Sequence, residues 1–486
     1  MNALQPARSR KTLPIVILLL VLVAALGAGA FIFKPRFESE APQVTFTPDT
    51  GTLGASSTVE IVVTDRGAGL RSVVATLTTS TGEVTLANEE FRDPLAEKKI
   101  TLAAGKIAGL KEGPANLRIH ARDYSFSHLF KGNETVIEKP IAIDLTPPTV
   151  ELIADDRYIN FGGVGAITYK VSADTATSGV KVGEHFFPGF PNVVQGHADQ
   201  MFALFAHPYD TPPGTKATLI ATDKAGNTRT VGLSYELKNV KEKKSTIAVS
   251  DKFLNEKVAP LLPDAAARQG SPKDVFVAVN QKVRKQNEDK ITEVTSKATP
   301  AILWSGAFSQ LSNSKVEANF ADRRTYTYNG EPIDTAYHLG YDLSVTKHYP
   351  IEAANSGVVA FTGDLGLYGN AVILDHGLGL FTLYGHMSSI DVKAGDKIAA
   401  KQVIGKTGET GFAGGDHLHY GVYLDGVAVL PVEWWDRKWI ADNVTPKLEG
   451  TAATEVAATP SAHRVARAPS TSGKNRSRHR ARGSSD

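Results

Sequence analysis

Five residues toward the carboxyl end are of the types that hold metals or move protons, and they fall in three short stretches. The first, "YHLGYDL", places His338 and Asp342 four positions apart around Gly340. On a helix or a strand, positions i and i+4 lie on one side, and a glycine between them lets the backbone turn tightly beside whatever they hold. The second, "LYGHMSSI", presents His386 at the end of an alternating apolar run. The third, "GGDHLHYGVY", sets His417 and His419 on either side of Leu418. On a strand, both imidazoles would share one face while Leu418 and Tyr420 take the other. A neutral imidazole offers a lone pair to a metal or a proton. Taken alone, the pair reads equally well as a solvated strand face.

The chain of 486 residues contains no cysteine, so a metal site in it must draw on His, Asp or Glu. Imidazole and carboxylate suit Zn²⁺. A catalytic zinc site keeps three protein ligands and leaves one position for water. Four histidines and one aspartate therefore divide into three ligands and two groups free to manage protons and charge. A closed structural site normally uses four ligands and leaves no spare imidazole, so the count favours hydrolysis.

These residues need a scaffold, and from about 301 to 440 the chain is strand-like and rich in glycine, with turns such as "TGDLGLYGN" and "GKTGETGFAGGD". Residues 239–300 differ. There "SPKDVFVAVNQKVRK" offers Ser271 as an N-cap, Pro272 at the first helical position, and Phe276, Val279 and Val283 at helical spacing. The pattern predicts a solvated helix whose one apolar stripe packs on a neighbouring domain or on a second copy of itself.

Two earlier blocks, 42–145 and 148–238, alternate apolar and polar positions between turn residues, as in "STVEIVVTD" and "NLRIHARD". They repeat one design: "PQVTF" answers to "PTVEL" and "LRIHARD" to "TLIATDKAGN". The offset of about 100 residues is the size of one β-sandwich. Neither block shows ionisable residues at site-like spacing, which reads them as spacers or adhesive modules.

Residues 13–33 carry no charge, long enough at about 1.5 Å per residue to cross a hydrocarbon core of about 30 Å. They are expected to form a transmembrane helix, with residues 1–12 in the cytoplasm because the leading segment is so short. A cleaved signal peptide, cut near Ala28, Gly29 and Ala30, is the competing reading. On either reading the remainder is exported. Beyond Asn443 the composition collapses to Ala, Thr, Ser, Pro and Arg, which predicts a disordered basic tail over 446–486. A net charge of +2 gives no whole-chain case for a nucleic-acid partner.

In order and separation, His338-x-Gly-x-Asp342, Tyr-x-His386-Met and His417-Leu-His419 resemble the M23 peptidases, the lysostaphin-like or LytM-type zinc endopeptidases of bacterial cell walls. The resemblance covers about residues 318 to 436. It implies that His338, Asp342 and His419 are the zinc ligands and that His386 and His417 are the catalytic histidines. It also implies a helper ahead of the first ligand, for which Asn319, Tyr326 and Tyr328 are candidates. In the second block, "ATDKAGN" resembles the late-strand motif of bacterial immunoglobulin-like domains. His376, His348 and Asp416 are read as turn or supporting residues, and Arg323 and Arg324 as a substrate-carboxylate contact or an ordinary surface pair.

The expected architecture is mainly β: a transmembrane helix (13–33), two immunoglobulin-like β-sandwiches (42–145, 148–238), a helical connector (239–300), and an M23 peptidase domain of antiparallel sheets (301–440). The expected function is zinc-dependent hydrolysis of peptide cross-links in bacterial peptidoglycan, with the wall's peptide stems and cross-bridges as partners. The expected place is the cytoplasmic membrane, crossed once, with the catalytic domain in the periplasm or cell-wall space. A non-catalytic wall-binding or hydrolase-activating module and a structural adhesin are the alternatives.

Overall fold

The computed structural model describes residues 12–239, 243–264 and 266–452. The fold is mainly β, with an apolar helix at Thr12–Phe33. That segment is long and apolar enough, by length and composition, to cross a membrane. All of the expected cytoplasmic leader but Thr12, which begins the helix, and most of the expected basic tail lie outside the described residues.

Strand alternation decides the packing of both early blocks. In Thr58–Thr64, Val59, Ile61 and Val63 are buried while Thr58 and Glu60 are exposed, as a period of two requires. That strand joins Gln43–Thr47 and Glu97–Ala103 in one sheet, and a five-stranded sheet that includes Leu70–Thr79 and Gly113–Asp123 supplies the other half of the core. The second block repeats the plan with two four-stranded sheets. One holds Val164–Val171 and Met201–Ala206, the other Thr175–Val182 and Ala217–Asp223. Tyr169, Phe187, Phe202 and Leu219 fill the space they share.

The connector begins with a strand that the sequence did not suggest. Lys243–Ala248 pairs in parallel with Asp322–Tyr328, which pairs antiparallel with Glu331–His338. The helix that follows starts as expected: the Ser271 side chain accepts from Asp274 N, with Pro272 in the first turn. Its stripe of Phe276, Val279 and Val283 packs with Val258 against Tyr326 of the three-stranded sheet. The stripe is therefore covered within the chain.

The C-terminal region is built on an antiparallel sheet in which Lys315–Ala318, Tyr341–Ser344, Leu418–Leu424, Leu380–Gly385, Asn370–Gly377 and Gly357–Asp364 lie side by side. Leu343, Leu383, Ile373 and Val422 are fully buried. The core runs on without a break into the second β block. Glu433, in the short helix Pro431–Trp435, accepts from Asn160 Nδ2 at 2.8 Å and Val164 N at 2.9 Å. Lys447 donates to Asp156 at 2.5 Å inside the same joint.

Candidate metal centre and active site

His338 ends the strand Glu331–His338, and Asp342 lies in Tyr341–Ser344, a strand of a different sheet. The pair therefore does not share one helix or strand. The chain crosses from sheet to sheet between them, and Gly340 sits at the crossing. A Cβ on Gly340 would meet His419 Nε2 at 2.7 Å and the Tyr420 carbonyl at 2.6 Å, so only glycine lets the backbone pass this close to the imidazole. Strand register then places Asp342 directly opposite His419. His417 lies just ahead of Leu418–Leu424, held by a bridge to Gly408.

Three ligand atoms converge. His338 Nε2 lies 2.9 Å from Asp342 Oδ1 and 3.1 Å from His419 Nδ1, and His419 Nδ1 lies 3.1 Å from Asp342 Oδ1. His338 donates Nδ1–H to the Asn319 carbonyl at 2.9 Å. In the neutral ring that leaves Nε2 as a lone pair facing a carboxylate oxygen. Two acceptors at that distance repel unless a proton or a metal ion lies between them. The separations are close to the roughly 3.3 Å edge of a tetrahedron with bonds near 2.0 Å, so these residues fit a metal of zinc's size.

The other two histidines line the same cleft of about 440 Å³. His386 donates Nδ1–H to the Thr410 carbonyl at 2.8 Å, and His417 donates its own to the Gly415 carbonyl at 2.8 Å. The His417 Nε2 then stands 3.5 Å from Asp342 Oδ1, and the two rings are centred 4.8 Å apart. His386 adopts φ +63°, a left-handed backbone rare outside glycine. Its backbone N–H, donated to the Tyr368 carbonyl at 2.7 Å, helps hold it there. Strain of this kind clusters at functional sites.

Burial and charge set the protonation states. Burial works to raise the Asp342 carboxyl, but the facing His338, His417 and His419 together hold it well below the usual carboxylate range. Burial lowers His419 to about 4, and burial with repulsion from His417 and His419 pushes His386 well below its ordinary value. For His417, burial works downward, but the hydrogen bond and charge of Asp342 outweigh it and the value is raised. An ionised Asp342 and a neutral His419 are the forms that bind metals.

The remaining sequence candidates scatter. Asn319 enters through its backbone carbonyl alone. Tyr326 is buried against Phe276 and lines the cleft, whereas Tyr328 donates to Asp251 at 2.7 Å. His376 is fully buried between the Ser356 carbonyl and Thr382 Oγ1, each at 2.7 Å, and burial lowers it to about 4. His348 and Asp416 meet each other, and Asp416 also accepts from Thr407. Arg323 is exposed, opposite Tyr337 in the ladder. Arg324 is half-buried and lines the cleft. Its Nη2 donates to Asp342 Oδ2 at 3.1 Å, on the far oxygen from the cluster. Sequence reading did not single out Phe412, Arg284 or the connector segment 247–250, which also wall the cleft.

Residues 336–431 match the model of Peptidase family M23, so the C-terminal region carries an M23 peptidase domain. The chain is similar to the DD-carboxypeptidase/endopeptidase Mpg of Neisseria meningitidis serogroup B, 40% identical over 95 residues, which are 20% of this chain and 22% of the relative. It is also similar to the peptidoglycan DD-endopeptidase ShyA of Vibrio cholerae, 35% identical over 112 residues, covering 23% and 25%. It thus spans about a quarter or less of either relative. The solved catalytic domain of lysostaphin from Staphylococcus simulans aligns at 27% identity and a TM-score of 0.23, covering 27% of this chain and 98% of that one.

Proposed function

We propose that the protein is a zinc-dependent endopeptidase that hydrolyses the peptide cross-links of bacterial peptidoglycan. The observation that carries this reading is the convergence of His338 Nε2, Asp342 Oδ1 and His419 Nδ1, with His386 and His417 beside them in one cleft. The similarity of the same stretch to two peptidoglycan endopeptidases supports the substrate.

In this reading His338, Asp342 and His419 hold the zinc. When bound, zinc supplies Lewis acidity to the scissile carbonyl and acidifies the attacking water. The chain's own residues handle the protons. His386 and His417 each have Nδ1–H fixed on a backbone carbonyl, so each turns Nε2 to the reaction. One takes the proton of the attacking water and returns it to the leaving amine, and the other, when protonated, donates to the developing oxyanion.

Arg324 positions Asp342 by holding its second oxygen. Arg324→Ala is expected to weaken zinc binding about 10- to 100-fold, the range for loss of a group that orients a ligand. Competition against a chromophoric chelator measures it, and an unchanged affinity would remove Arg324 from the site.

The two early blocks are proposed as immunoglobulin-like spacers, and the apolar helix as a single-pass anchor in the cytoplasmic membrane. Together they would hold the catalytic domain within the periplasm or wall space. Zymography on purified peptidoglycan tests the enzyme reading. Clearing that a chelator abolishes and zinc restores is expected. No clearing by folded, zinc-loaded protein would instead favour a wall-binding or hydrolase-activating role.

A further inference from the structure

A second set of possible metal ligands, none of them lining the cleft, gathers where the chain leaves the apolar helix. Glu38 follows the helical turn Lys34–Phe37, Asp65 follows the strand Thr58–Thr64, and Asp123 ends Gly113–Asp123. One ligand atom from each lies within 4.8 Å of the others. No lysine, arginine or histidine forms an ion pair with any of the three among the described residues.

Asp65 is 7% exposed. Its Oδ1 accepts from Gly67 N and Gly69 N at 3.0 Å each, while its Oδ2 is buried with no hydrogen-bond partner. A buried carboxylate oxygen without a partner is expensive, and two neighbouring carboxylates make it more so. The surroundings are nonetheless built to keep the three together. Asp123 Oδ1 accepts from Ser125 N and Asn133 N, and Asp123 Oδ2 from Asn133 Nδ2. Asn133 Nδ2 also reaches the Glu40 carbonyl, and Ser127 Oγ donates to the Glu38 carbonyl. These bonds fasten the segment that carries Glu38. At position 67 a Cβ would fall 1.6 Å from Glu38 Oε2, so glycine is what admits that carboxylate to the turn.

We propose that Glu38, Asp65 and Asp123 bind a calcium ion at the joint between the apolar helix and the first β block. The donors are all hard oxygens, which exclude a preference for soft metals. They come from three separated segments, the irregular arrangement that calcium tolerates and magnesium does not. Bound there, the ion ties the segment leaving the helix to the ends of two strands and fixes the direction in which the spacer departs. The second block repeats the frame with Asp144, Asp174 and Asp223, where Asn227 Nδ2 bridges Asp223 Oδ2 and the Asp144 carbonyl. Asp174 is exposed there, and the assignment is confined to the first joint.

Equilibrium dialysis of the full chain in detergent against ⁴⁵Ca²⁺, after calcium is stripped and zinc restored, tests the site. Asp65→Asn keeps an oxygen for the Gly67 and Gly69 N–H groups, and Glu38→Gln alters a half-buried position. Each variant is expected to bind one equivalent less calcium than the parent, with zinc content and far-UV circular dichroism unchanged. A parent that binds no calcium, or either variant binding as much as the parent, overturns the proposal. So does displacement of the ion by a tenfold excess of magnesium. None of these results depends on whether the C-terminal domain cuts peptidoglycan.

Discussion

Replacing His419 by alanine is expected to remove metal and activity together, whereas replacing His417, two residues away, is expected to remove activity alone. His419 Nδ1 is one corner of the triangle with His338 Nε2 and Asp342 Oδ1. Without it only two of the three proposed ligands remain, too few for a catalytic zinc site. Zinc content should fall from about one per chain to background. His417 stands further out, with Nε2 at 3.5 Å from Asp342 Oδ1 and Nδ1 held by the Gly415 carbonyl. Its loss should leave the zinc in place and slow turnover by about 10²- to 10⁴-fold, the usual contribution of a positioned acid or base. Elemental analysis by plasma mass spectrometry beside a rate assay reads both. The reverse pattern, zinc lost from His417→Ala and kept by His419→Ala, would exchange the two roles.

Lys447→Met is expected to lower stability by about 3–5 kcal/mol, the range for stripping one partner from a buried ion pair. Both side chains are nearly inaccessible, at 5% and 6% exposed. Burial works to raise the Asp156 carboxyl and Lys447 opposes it. Remove the ammonium and an uncompensated acid is left at the joint between the second β block and the C-terminal region. Asp156 Oδ2 also accepts from Ala166 N at 2.6 Å. Adding Asp156→Asn keeps an acceptor for that N–H without the charge, so the double variant should recover most of the loss. Urea denaturation followed by tryptophan fluorescence measures it, with Trp434 and Trp439 close to the joint. A single variant as stable as the parent would mean that the pair carries no weight.

That lysine shows where sequence reading stops. Lys447 falls inside the stretch expected to be a basic tail, and nothing local distinguishes it from the arginines beyond. Its partner lies 291 residues away. The three motifs of the candidate active site were legible because residue type and order carry them, and the structure brings all five residues to one cleft. Their supports were not legible. His338, His386 and His417 are oriented by the carbonyls of Asn319, Thr410 and Gly415, and any residue type has a carbonyl. Arg324 reaches Asp342 only because the hairpin of Asp322–Tyr328 with Glu331–His338 sets Asp322 opposite His338. The strand Lys243–Ala248 was missed for a related reason. It is mostly exposed and finds its parallel partner about 80 residues later. Glu38, Asp65 and Asp123 show no site-like spacing in sequence, yet strand ends bring them together.

The central claim is metal-dependent cleavage of peptide cross-links, and mass spectrometry of muropeptides from treated cell-wall sacculi tests it most directly. Cross-linked dimers should fall and monomers rise with the zinc-loaded protein, and neither should change with a chelator or with His417→Ala. Unchanged dimers after incubation with folded, zinc-loaded protein would contradict it.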